Sequence, residues 1–352
     1  MESHNITSQT NEESEPVWIS DDARKVVQTV FFVAINGATG FLGSVANVIN
    51  IVVFVKQGFS DTVNISLLGL AVSDLGSLVT LVWESITLNP FFLNADVPFR
   101  QNDIRYLTAA IPHSIFVRIA WCITAFLTLE RCLCIAMPLK VKQIITAKRT
   151  LLINLTIFTL IFLGMCPIFV CRWIGPEFAP ERNKTIFVTL FSCDKVTVEN
   201  IAFTFNVVAQ FSSFIIDLLC TVIIIHTLQV KSKWRNETTS TSKTGLATRD
   251  KKVIKMIALI STIFIVCSMP SCVNYVVVVN RLEYNDASVY RNVYTVSWAV
   301  IVALEAINSS VNIFVYYNMS GKYKAAFDDI FCRWLRGEKQ GEKTKETGGK
   351  GK

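Results

Sequence analysis

The chain has 352 residues, of which 51% are hydrophobic and only 17% charged, with a formal net charge of +7. A soluble domain carries about 25% charged residues, so the composition excludes an ordinary soluble enzyme or binding module. It fits a chain that lives in a membrane.

A hydrocarbon core of about 30 Å takes roughly 20 apolar residues as helix, because lipid offers nothing to satisfy a free backbone. Seven stretches qualify, approximately Val30 to Val55, Ile65 to Leu88, Ile104 to Met137, Leu151 to Ile174, Ile201 to Val230, Val253 to Val279 and Val293 to Tyr317. The expected fold is all-α: a seven-transmembrane helix bundle at 30–317, with an extracellular segment at 1–29, an amphipathic surface helix at 318–335 and a disordered cytoplasmic tail at 336–352.

The first 29 residues carry six acids against Arg24 and Lys25 and no apolar core of a cleavable signal, so the first span is expected to do the targeting. Orientation follows from the bases in short loops. Lys140, Lys142, Lys148 and Arg149 stand between spans three and four without an acid. Between spans five and six, 231–252 holds seven bases against Glu237 and Asp250. From Lys322 onward there are nine bases against five acids. These segments are expected to be cytosolic, where they also suit anionic lipid, with the N-terminus outside. Of seven Asn-X-Ser/Thr sequons, only Asn5 and Asn183 then lie outside as glycosylation acceptors.

Ten cysteines first suggest a disulfide framework. Six of them (Cys122, Cys132, Cys134, Cys220, Cys267 and Cys272) fall within spans, where cysteine usually serves as a small apolar filler. Outside, a Cys171 to Cys193 bridge and a free Cys193 both fit.

Polar residues within spans read as functional, since each costs a few kcal/mol to insert. Asn47 stands in the first span, Asp74 in the second, Glu130 and Arg131 at the end of the third, and Asn308, Ser309 and Asn312 in the seventh. Arg118 and Asp217 are also intramembrane, and the simplest expectation is that they meet each other or water. After the seventh span, SGKYKAAFDDIFCRWL puts Tyr323, Phe327, Ile330, Phe331 and Trp334 on one face of a surface helix. Cys332 beside it suits palmitoylation or a free thiol.

These residues resemble a family. GSVAN ending at Asn47, LGLAVSDL around Asp74, ERC at Glu130 followed by Pro138 and Leu139, FIVCSMP ending at Pro270 and NSSVNIFVYY with Asn312 and Tyr316 match, in order, the signatures of rhodopsin-like (class A) G-protein-coupled receptors. Within that family, LERCLCIAMPLKVKQIIT is most similar to an expanded group of gastropod chemosensory receptors. The resemblance implies a cell-surface receptor, not an enzyme, that binds an extracellular peptide or small molecule and activates a heterotrimeric G protein. Arrestin is an implied partner through the tail threonines; nothing implies nucleic acid.

For the residues, the resemblance implies a coupling switch of Glu130, Arg131, Asp250, Asn312 and Tyr316. Arg131 would be held by Glu130 and Asp250 at rest and freed when the sixth span moves outward. Asn47, Asp74, Asn308 and Ser309 would form a polar core holding either water or a sodium ion near Asp74, although Ala120 stands where the third span would contribute a serine. Pocket candidates are Trp83, Glu84, His113, Asn274, Tyr275, Tyr294, Trp298 and Glu305; His113 occupies the place of the aminergic Asp, which argues against a biogenic amine.

The departures are informative. Ser268 replaces the aromatic switch of the sixth span, Ile313 the proline of the seventh and Cys132 the tyrosine of the Arg131 box. Tyr106 stands 25 residues before Arg131, where the family has its bridging cysteine. A relay through Trp121, Phe264 and Pro270 is therefore expected in place of an indole rotation at Ser268. A transporter or channel remains the alternative class, against which stands the lack of internal repeats and of broken mid-membrane helices. An intramembrane enzyme would need a nucleophile and base or clustered ligands, and His4, His113 and His226 lie far apart.

Overall fold

The structure is a computed structural model that describes residues 18–237, 245–281, 283–286 and 288–332. Seven helices are long and apolar enough to cross a membrane: Asp21–Gln57, Thr62–Thr87, Gln101–Ala136, Ala147–Val170, Lys195–Val230, Lys252–Asn280 and Arg291–Met319. They are the first to seventh spans below. The second, third and sixth are the most enclosed and the fourth the most open; the third packs against the second, fourth, fifth and sixth, and so runs through the middle of the bundle.

Local chemistry sets the boundaries. Asp61 caps the second span by accepting from the Val63 amide at 3.1 Å, and Thr146 caps the fourth from Arg149 at 3.4 Å; such caps satisfy amides that the first turn leaves free. Gly58, at φ 82°, makes the left-handed turn between the first two spans. Gly43 lets the first span approach the seventh, since a Cβ there would lie 2.1 Å from Ser310 Oγ. That close approach is what the glycine of GSVAN is for.

Two boundaries differ from expectation in ways that matter for the site. The first span begins at Asp21, behind a Ser20 cap, so 21–29 are helical and not part of a free segment. The fourth span ends at Val170, just past Pro167, and Ile174 belongs to a strand. That strand, β1 (Arg172–Ala179), pairs antiparallel with β2 (Lys184–Phe191) through a turn at Asn183, φ 49°. The sequence reading had no strand here. Gly175 and Pro176 weaken β1 as a signal, but β2 alternates as strands do, with Ile186 and Val188 buried and Thr185 and Phe187 exposed.

The helix after the seventh span, Gly321–Phe327, continues as a wider turn to Cys332. Its apolar face was expected on the membrane surface. Instead Tyr323 is buried against Phe54 and Tyr316, and Phe327, Ile330 and Phe331 pack on the same core. Lys322 pairs with Asp61 at 2.9 Å and Lys56 with Asp329, so this helix closes one end of the bundle. Trp334, Asn5 and the tail lie outside the described residues.

Candidate functional site

At the end of the bundle opposite the hairpin, Arg131 donates to the adjacent Glu130 and lies 3.5 Å from Thr62 Oγ1, which also donates to Glu130. Glu130 is 1% exposed. A charge so buried needs a partner, and Arg131 with the capping turn of the second span supplies it. Asp250 stands in the helix that leads into the sixth span, but its side chain lies outside the described residues, as does that of Cys332.

The polar core forms two hydrogen-bonded groups. Asn47 donates to the Ser309 carbonyl at 2.8 Å and Asn312 to Asp74 Oδ2 at 2.9 Å. Asn50 donates to Asn47 at 3.2 Å and accepts from the Tyr323 hydroxyl at 2.6 Å. The group around Asn47 is thus wired to the closing helix. Asn308, one position before Ser309, takes no part in these bonds. Sequence reasoning missed Asn50, although its i, i+3 spacing from Asn47 put both on one face. Tyr316 stacks edge to face on Phe54 at 5.2 Å, with its hydroxyl buried and without a hydrogen bond. Asp74 Oδ1 is likewise buried and without a hydrogen bond among the described residues.

Arg118 and Asp217 do not meet, which removes the first of the two expected arrangements. Asp217 accepts from Thr128 at 2.6 Å, ten residues and about 15 Å along the third span from Arg118. Thr128 is also 2.6 Å from Ser261, so one joint ties the third, fifth and sixth spans. Asp217 and Ser261 are both fully enclosed. Arg118 sits instead over the Trp121 ring, 4.5 Å from its centroid.

Trp121 and Phe264 meet edge to face at 5.0 Å, within a buried cluster that includes Val117 and Cys272. Ser268 turns its hydroxyl back to the Phe264 carbonyl at 2.5 Å. Pro270 leaves the sixth helix without an amide donor nearly two turns above Phe264.

The pocket candidates fall into three groups. His113 Nδ1 lies 2.9 Å from the Ser77 carbonyl, joining the second and third spans, and Nε2 faces Glu305 of the seventh at 3.9 Å without a hydrogen bond. Tyr275, Trp298, Tyr294 and Tyr284 form an edge-to-face aromatic row between the sixth and seventh spans, with Asn274 accepting from the Tyr284 hydroxyl at 2.9 Å. Glu84 and Trp83 form the third group. Glu84 pairs with Arg105 at 2.8 Å and Trp83 donates to Thr108 at 2.8 Å, tying the second span to the top of the third.

The hairpin roofs this end. Cys171 and Cys193 are bridged, pinning both ends of the hairpin together. Arg172, next to that bridge, pairs with Glu199 and lies 4.7 Å over the Tyr106 ring. A cation–π contact therefore links the third span to the hairpin where the family has its cysteine. The Lys184 ammonium beside Asp96 holds that carboxyl below its usual range. If the bridge stabilises by roughly 3 kcal/mol, as the chain-entropy argument gives for a loop of this length, Cys171→Ser and Cys193→Ser should lower surface expression equally, and the double change should add nothing. Additive losses would mean that the two thiols act separately.

Seven spans, a buried acid–arginine pair at one end and a roofed polar cleft at the other define the class of a membrane receptor. Comparison with known proteins gives the family. The 7 transmembrane receptor (rhodopsin family) model matches residues 46–316, and the chain belongs to that family of G-protein-coupled receptors. It is thereby a multi-pass plasma membrane protein. Growth hormone secretagogue receptor type 1 from Rattus norvegicus is 26% identical over 208 residues, 57% of this chain and 54% of the relative. The receptors of the same name from Mustela putorius furo and Mus musculus match to the same extent. The matches span about half the length of these relatives.

Proposed function

We propose that this chain is a cell-surface receptor that binds an extracellular ligand at the hairpin end and activates a heterotrimeric G protein at the Arg131 end by outward movement of the sixth span. The ligand class is a peptide or a chemosensory small molecule; the relatives named for a secretagogue support the receptor reading. Glu130, Arg131, Asp250, Asn312 and Tyr316 are the coupling residues, and Asp74 Oδ1 takes water or a sodium ion. Arrestin and anionic lipid are further partners, and Cys332 is the lipid anchor.

The observation that carries the sixth-span movement is the joint of Thr128, Asp217 and Ser261. It holds the sixth span to the third and fifth through short buried hydrogen bonds, and a two-state element needs such a contact to break. Ser261→Ala removes one bond worth about 1 kcal/mol. Ligand-free signalling per surface receptor should rise by about fivefold, the population shift that energy allows. Unchanged basal signalling would show the joint to be passive packing.

Orientation has its own test. Asn183 is exposed at the hairpin turn, so Asn183→Gln should remove a glycan step on a gel. Asn5→Gln should remove another, and Asn236→Gln none. A glycan on Asn236 would invert the receptor.

A further inference from the structure

Between the third, fourth and fifth spans, at the hairpin end, lies a cavity of about 170 Å³. Ile111, Met165, Ile168 and Phe203 make its walls apolar, and Ser114 and Asn206 add polar groups. Two helix faces run on from it into the bundle. On the third span, Ile111 and Ser114 are followed on the same face by Arg118. On the fifth, Phe203 and Asn206 are followed at the same spacing by Gln210. The cavity walls thus lead toward Arg118 and Gln210.

Arg118 is 3% exposed, and its Nε and Nη1 atoms make no hydrogen bond. Gln210 is fully buried, with Oε1 likewise free. Asn206 donates to the Tyr275 hydroxyl at 3.1 Å, and its Oδ1 is unbonded. Of the acids nearby, Asp217 bonds Thr128 and Glu199 pairs with Arg172, while Glu305 faces His113 at 3.9 Å with its Oε1 unbonded. A buried guanidinium that rests on the face of Trp121 with Nε and Nη1 unbonded is costly. Its planar fork matches a carboxylate.

We propose that this cavity binds a small organic acid, its apolar chain lying between Ile111, Met165, Ile168 and Phe203 and its carboxylate held by Arg118. The proposal deepens the receptor reading and rests on it for the identity of the ligand end. An apolar cavity of about 150 Å³ takes a guest of benzene's size, so this one of about 170 Å³ takes a short aliphatic chain. Glu199 at the rim does not repel the acid, since Arg172 already compensates it.

The probe is octanoate, added to the purified full-length receptor while its thermal unfolding is followed. Octanoate should raise the unfolding midpoint saturably, whereas methyl octanoate and octylamine at equal concentration should not. Arg118→Gln should weaken the octanoate effect by about tenfold or more, the value of one charge-assisted pair. Met165→Trp, which fills the cavity, should remove it. An equal response to the ester, a stronger response to the amine, unchanged affinity in Arg118→Gln, or no saturable response to straight-chain acids from butanoate to decanoate would overturn the proposal. Should Arg118→Gln not fold, the acid-against-ester comparison on the unaltered receptor decides alone. Because binding is read without a G protein, failure here is distinct from failure to couple.

Discussion

Arg131→Ala is expected to abolish receptor-stimulated nucleotide exchange while surface expression falls by no more than about half. Arg131 lies at the end of the bundle opposite the ligand cleft and pairs with Glu130 and Thr62. Its side chain is 14% exposed, against 1% for Glu130, so the arginine is the member of the pair that can turn outward to a partner. Removing it leaves Glu130 buried with the Thr62 hydroxyl, and breaking a buried pair can cost about 3 to 5 kcal/mol. A charge-neutral control separates the two effects. Glu130→Gln keeps Arg131 and frees it, so ligand-free signalling should rise. Asp250→Asn should do the same if Asp250 is the second acid. If Arg131→Ala receptors at equal surface number still drive exchange, the switch assignment is wrong.

Phe264→Ala should uncouple binding from signalling. Phe264 is 1% exposed and meets Trp121 edge to face at 5.0 Å, and the pair lies between the Arg118–Tyr275 region and the Thr128–Ser261 joint. Because Ser268 bonds to its own helix at the Phe264 carbonyl, no indole is available to carry a ligand-driven rotation. Truncating a buried Phe costs about 3 to 5 kcal/mol, which by itself lowers expression. The relay predicts more: ligand affinity changes little, while maximal response per surface receptor falls about tenfold or basal activity rises, equivalent to about 1.4 kcal/mol of altered coupling. Efficacy per receptor that stays constant while expression falls would leave Trp121 and Phe264 as ordinary core.

The bundle was legible because lipid permits so few backbones that an apolar run of sufficient length is already a helix. The switch residues were legible because polar groups at that depth stand out against their surroundings. The pairings were harder to read. Arg118 and Asp217 looked like natural partners by charge, yet they lie about three turns apart in depth, and Asp217 is served by the hydroxyls of Thr128 and Ser261. Small hydroxyl residues are common in spans and carry no signal until a partner is placed beside them. Tyr323 was assigned to a lipid-facing stripe because amphipathicity identifies an apolar face without saying what covers it; its hydroxyl bond to Asn50 reveals the cover. The hairpin was hidden by Gly175 and Pro176, which read as loop, while its pairing depends on β2 and on the Arg100 amide bonded to the Phe187 carbonyl.

The central claim is that ligand occupancy at the hairpin end is converted into G-protein activation at Arg131. The most direct measurement is nucleotide exchange on heterotrimeric G proteins by the purified chain in lipid nanodiscs, alongside the Arg131→Ala variant and a substrate-flux assay in sealed vesicles. The account predicts catalysed exchange by the unaltered chain, none by the variant, and no flux. Flux without exchange would contradict it.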